Sequence, residues 1–252
     1  VRKLVLPIVA VLVVAGAALF GWRWWTALQR EARYDAWRQE LLSPPPADDP
    51  NGGPDKARRA EVIAALKTEL KADPGLTGAS VLLANLMIRM WADDPTKKDT
   101  KWLSEAKVVL DDAVKRHPET IEAGLLLAKI CRALNLVDEA IRTLSETLVH
   151  AEGSDRSRVE LDLAHAYLER YRGSSKEEDF RAARNGFQNA RADPATEAEA
   201  LDGYGTLWLE NGRYRDLEKA LATYQELLKK HPTYPNAAKI QEVVDVLSKP
   251  GG

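Results

Sequence analysis

An alanine followed twelve residues later by a proline recurs along this chain, at Ala106–Pro118, Ala182–Pro194 and Ala220–Pro232; Ala140–Glu152 keeps the spacing without the proline. Upstream of each alanine lies a second signature: a large residue, at once a small one, and a bulky one three positions on. It reads Leu83-Ala84…Met87, Leu127-Ala128…Cys131, Leu163-Ala164…Tyr167 and Tyr204-Gly205…Trp208. Small residues let two helices approach closely, and bulky ones fill the space beside them. Proline lacks the amide hydrogen and clashes with the preceding turn, so it stops the second helix. A chain built this way has little choice of architecture: each helical pair has an apolar face that only the next pair can cover. From Asp55 to Leu247 apolar residues recur at three- and four-residue spacing, with breaks at Pro, Gly and Asp. No segment alternates as a half-buried strand does.

These signatures resemble the tetratricopeptide repeat, W-x2-L-G-x2-Y…A-x3-F…P over 34 residues. The best copy is Leu201-x2-Tyr204-Gly205-x2-Trp208…Ala220-x3-Tyr224…Pro232, and the resemblance covers roughly residues 77 to 232, about four repeats. It implies an all-α, right-handed superhelical solenoid of helical hairpins. Asp55–Ala72 reads as an orphan second helix before the first repeat, and Pro235–Ser248 as a closing helix. The copies differ in length between their two helices, at DDPTKKDT, GSSKEED and NGRYRDLE, which read as lengthened loops on one edge. Gly186 stands where an aromatic is usual, with Phe187 adjacent, which predicts a one-residue shift of register.

Ahead of the repeats, Leu4 to Trp22 is a run of nineteen residues without a charge. At about 1.5 Å per residue such a helix crosses the hydrocarbon core of a bilayer. Arg2 and Lys3 precede it, and Trp22, Arg23, Trp24 and Trp25 follow, a set suited to the headgroup layer. Residues 1–22 are therefore expected to be a single transmembrane anchor. A cleaved signal peptide, ending near Ala15-Gly16-Ala17 and releasing a secreted soluble protein, is the alternative. Orientation stays open. Arg23, Arg30, Arg33 and Arg38 favour the C-terminal side inside, whereas the short basic start favours it outside, in a bacterial periplasm. Residues 23–42 continue as a helix with an apolar stripe through Trp25, Leu28, Ala32, Ala36 and Trp37/Leu41, read as a juxtamembrane stalk or as a surface for a partner subunit. Residues 43–54 (SPPPADDPNGGP) form a Pro/Gly linker that places the domain boundary before a solenoid over 55–248.

Nothing in the chain reads as a catalytic constellation. Asn51-Gly52-Gly53-Pro54 lacks the Lys-Ser/Thr of a phosphate loop. His117 and His231 each precede a proline at a helix end, Cys131 occupies a core position of its repeat, and the Asp93-Asp94 and Asp111-Asp112 pairs lack further convergent ligands. No enzyme, metal or cofactor is expected. The 36 Lys+Arg face 38 Asp+Glu, and the first 42 residues hold 6 basic and 3 acidic, which leaves 30 against 35 for the rest. A mildly acidic solenoid is a poor match for nucleic acid.

The resemblance implies a concave face, lined by the first helix of each pair, that binds an extended peptide or a partner helix. The family's groove positions fall on Asn85 and Arg89, Lys129 and Arg132, His165 and Glu169, and Asp202, Thr206 and Glu210, a line running from basic to acidic. The lysine of carboxylate-clamping members is replaced by Val81, so a C-terminal clamp is not expected. The combined expectation is a single-pass inner-membrane protein that binds protein partners. It would serve as adaptor, assembly factor or accessory subunit of a bacterial envelope complex, or as a permanent structural subunit of one, with no small-molecule substrate.

Overall fold

A computed structural model describes residues 24–42, 56–94, 96, 100–210 and 212–249. The apolar run 4–22, its flanking residues Arg2, Lys3, Trp22 and Arg23, and the linker 43–54 lie outside them. Among the described residues no helix is long and apolar enough to cross a membrane.

The described chain is helical, without a strand. Helix α1 spans 24–42. It is followed by α2 (Lys56–Ala72), α3 (Thr77–Ala92), α4 (Lys101–Arg116), α5 (Ile121–Ala133) and α6 (Val137–Leu148). Then come α7 (Gly153–Ser174), α8 (Glu177–Ala190), α9 (Glu197–Leu209), α10 (Leu217–Lys230) and α11 (Ala237–Leu247). From α2 on, each helix packs on the next, and α3, α5, α7 and α9 also touch one another in sequence. The odd-numbered helices thus form an inner layer and the even-numbered helices an outer one.

The repeat signatures are the sites of closest approach. A Cβ built on Gly205 would lie 2.6 Å from the Tyr224 ring of the same pair, and one on Gly203 would run into Phe187 of the pair before. In the third repeat a Cβ on Gly186 would lie 2.9 Å from Ala164 Cβ. Glycine replaces the ring there, α8 lies close against α7, and the buried positions of α8 move to Ala183, Phe187 and Ala190. The register shift at Gly186 is therefore real, and Phe187 supplies the missing ring one residue on.

Two expectations are corrected. The stretch GSSKEED is not a long loop: α7 continues through Ser174, Ser175 takes a left-handed turn (φ 54°), and α8 begins at Glu177. The extra residues lengthen a helix instead. The second correction concerns α1, which is neither a stalk nor a free docking surface. It packs on α2 and α3 with Tyr34 and Leu41 buried in the same apolar cluster as Leu66 and Leu83. Tyr34 O–H donates to Glu69 Oε2 at 2.5 Å, Arg33 pairs with the same carboxylate, and Arg58 of α2 pairs with Glu40. Arg89 of α3 donates to the carbonyl of Leu42 at 3.2 Å. The buried positions are Tyr34 and Leu41, with Trp37 half-buried beside them, while Trp25 and Leu28 of the expected stripe are exposed. The hydroxyl made Tyr34 look polar, yet with Glu69 as acceptor its ring can be buried.

Helix α1 thereby supplies the first helix that Asp55–Ala72 lacked. Val62, Leu66 and Pro74 carry the spacing of the alanine, ring and proline of the later copies, and Val62 and Leu66 are buried. The described chain holds five pairs and the closing helix α11, not four pairs with an orphan.

Two glycines give opposite stability predictions. Gly205→Ala should cost about 1–3 kcal/mol by forcing the Tyr224 ring aside. Gly173→Ala, at a helical position with nothing within 4 Å, should gain up to about 1 kcal/mol; urea denaturation of both variants checks the contrast. Tyr34→Ala should release α1 alone, read as new protease cleavage within 24–42 and faster amide exchange in α2, with α5–α10 as protected as before.

Candidate partner-binding groove

The inner face carries two depressions in line. The larger, of about 480 Å³, lies across α3, α5, α7 and the turn into α9. Its apolar floor is Leu125, Leu126 and Leu161; Asn85 stands at one end, and Lys129, Arg158, Asp162 and Glu199 form its walls. The smaller, of about 230 Å³, is bounded by Arg132, His165, Glu169, Arg172, Asp202 and Thr206. Seven of the nine expected groove residues therefore line one depression or the other. Arg89 and Glu210 line neither: Arg89 is engaged with Leu42, and Glu210 takes Arg172 Nε at 2.8 Å.

The expected gradient from basic to acidic is not what the side chains make. Glu169 accepts from Arg132 Nε at 3.0 Å and from Nη2 at 2.6 Å, and Asp162 lies 3.7 Å from Nη1. Arg132 is thus neutralised from α7, as Arg172 of α7 is by Glu210 after α9. Charges carried on successive first helices cancel across the helix junctions. Asp202 is also engaged, accepting from Tyr234 O–H at 3.1 Å, and Thr206 shares a hydrogen bond with Tyr224. Lys129 is exposed and forms no ion pair among the described residues.

Burial tunes the acids and the histidine here. The Asp162 carboxyl is pushed above its ordinary value by burial, against the pull of Arg132 and Lys129. Glu199 is raised too, by burial and then by Asp162 and Asp202 nearby. His165 is depressed to about 4, chiefly by burial and further by Arg132, so its ring is neutral at pH 7. That ring stands edge-on to Phe187 at 5.0 Å, and its buried Nε2 has no hydrogen-bond partner. The placement is that of a wall residue. No group of three His, Cys, Asp or Glu among the described residues is arranged to hold a metal ion. Burial also raises the Cys131 thiol to about 11, which keeps it protonated and a poor nucleophile.

Residue-by-residue carry-over missed Asp162, Arg172 and Glu199. The signal was present as helical spacing. Asp162, His165, Glu169 and Arg172 are separated by three, four and three residues and share one face of α7, and Glu199 precedes Asp202 by three. Of the membrane-interface set, Trp24 and Trp25 are described and well exposed, at 60% and 58%; Arg2, Lys3, Trp22 and Arg23 lie outside the described residues.

No protein-family model matches the sequence, and no curated protein matches it. Several solved structures share its fold. MamA superposes with a TM-score of 0.54 at 16% identity, over 70% of this chain and 91% of its own. TTC0263, a thermophilic TPR protein in Thermus thermophilus, gives 0.53 at 17%, over 75% and 91%. YrrB, a TPR protein with an unusual peptide-binding site, gives 0.51 at 14%, over 73% and 82%. With this likeness added to its own packing, the described chain has the fold of a tetratricopeptide-type solenoid.

Proposed function

We propose that this chain is a protein–protein interaction scaffold that captures an extended segment of a partner along the inner face of α3, α5, α7 and α9, and that it works while tethered to a membrane. The observation that carries the first part is the larger depression, whose apolar floor is ringed by Lys129, Asp162 and Glu199. Apolar floors supply affinity, and charged walls select register. The reading is of an adaptor, with no catalytic step assigned to the groove. YrrB, described as having an unusual peptide-binding site, is a precedent on the same fold.

The tether is supported by the apolar run 4–22 and by the exposure of Trp24, Trp25 and Leu28 at the adjoining end of α1. Holding the groove near a surface raises the effective concentration of any membrane-bound partner. Our reading is a bacterial inner membrane with the solenoid on the periplasmic side, serving as assembly factor or accessory subunit of an envelope complex. The docking of α1 favours, as a second reading, a permanent subunit, because a pinned first helix suits a fixed place in a complex.

A photo-crosslinking residue at position 129 should label one discrete partner in cells, while one at Arg142 on the outer layer should not; equal labelling from both positions would discard the groove. In membrane fractionation the full chain should resist carbonate extraction, and a chain lacking 4–22 should be soluble. Solubility of both would remove the tether.

A further inference from the structure

A third depression, of about 380 Å³, lies on the edge of the solenoid where first helices end and second helices begin. It is built from the start of α8, the end of α9, the turn Arg213–Asp216 and the start of α10. Five cations line it: Arg181, Arg184, Arg213, Arg215 and Lys219. Only two carboxylates do, and each is taken, Glu177 by Arg181 and Asp216 by Lys219. Three guanidinium groups are left over in a chain whose net charge is −2.

Aromatic rings also lie against two of these cations. Lys219 Nζ sits 4.5 Å from the centre of the Trp208 ring, and the Arg213 guanidinium 5.9 Å from that of Tyr214, which stacks on Phe180 at 4.6 Å. Two donors in the lining are unmet. Trp208 is 7% exposed and its Nε1–H has no acceptor; the buried Arg184 Nε–H has none either.

We propose that this cleft binds a phosphate ester. A single carboxylate carries one negative charge and would leave most of the surplus unmet. A phosphate monoester carries about −1.5 to −2 at pH 7 with three strong acceptor oxygens, which suits several guanidinium donors. The remaining solenoid is acidic, which opposes a long polyanion, and the cleft lies three helix pairs beyond α1, away from the proposed tether. A short ester is favoured on both counts, either a phosphorylated side chain of a protein or a small phosphate metabolite. The site is separate from the inner groove and does not depend on it.

Calorimetry on the full chain at constant ionic strength tests this with four probes: inorganic phosphate, a phosphoserine peptide, the same peptide with glutamate, and anionic vesicles of phosphatidylcholine with phosphatidylserine. Saturable binding of phosphate or phosphopeptide, at least tenfold tighter than the glutamate peptide, is expected. Equal affinity for the two phosphorylated probes would identify a small-ester source, and a preference for the phosphopeptide a protein source. The exposed-residue variant Arg213→Ser/Arg215→Ser should weaken binding at least tenfold with an unchanged melting curve. Absence of saturable binding, equal binding of the glutamate peptide, tighter capture of anionic vesicles, or affinity indifferent to the loop variant would each overturn the assignment.

Discussion

The fold depends on close approach between helices at a handful of small side chains. Gly203, Gly205 and Gly186 sit against Phe187, Tyr224 and Ala164, and Gly124 sits against Thr147 of α6. Each contact lets a backbone come where a Cβ would otherwise stand, and a ring on the facing helix fills the gap where there is one. No helical pair has a second layer of its own, so these interlocks and the next pair together make the core. The interior is accordingly a chain of adjoining clusters. One runs from Tyr34 to Ala166, a second from Leu161 to Ala220, and a third joins Leu201 to Val244. Stability in such an array is a sum of local terms, and damage at one interlock is felt mostly by its neighbours.

This dependence explains what was readable from residues alone. The alanine-to-proline spacing located α4, α8 and α10 because it reports on a helix that must pack closely and then stop. Helix α1 was read as a helix, but its pairing with α2 escaped for two reasons. Residues 43–54 look like a boundary, although a Pro/Gly stretch is as able to connect two helices of one pair as to separate domains. And the burying residue is Tyr34, whose affinity for the core exists only because Glu69, 35 positions away, accepts its hydroxyl hydrogen. No local pattern carries that information. The stretch GSSKEED failed differently: Gly173, Ser174 and Ser175 are weak helix formers by propensity, yet α7 runs on through Ser174.

The inner groove was legible as a set of positions and illegible as a field. Lys129, Arg132, His165 and Glu169 were placed correctly on the inner face, but their charges were read singly. In the folded chain Arg132 and Glu169 are partners, and Asp162 and Glu199, which shape the larger depression, came only from the face as a whole. Side chains 37 residues apart neutralise each other because the repeat brings equivalent turns of neighbouring helices side by side.

That periodic pairing has a mechanical side. Lys67–Glu105, Lys107–Glu139, Arg132–Glu169, Arg172–Glu210 and Arg191–Glu226 stitch successive pairs together at junction after junction. Each is partly exposed and worth at most about 1 kcal/mol, less as salt rises. The apolar interlocks set the rest shape of the coil, and these stitches set how stiffly it holds that shape. Because the interlocks do not depend on charge while the stitches do, raising the ionic strength loosens the junctions and leaves each helical pair intact.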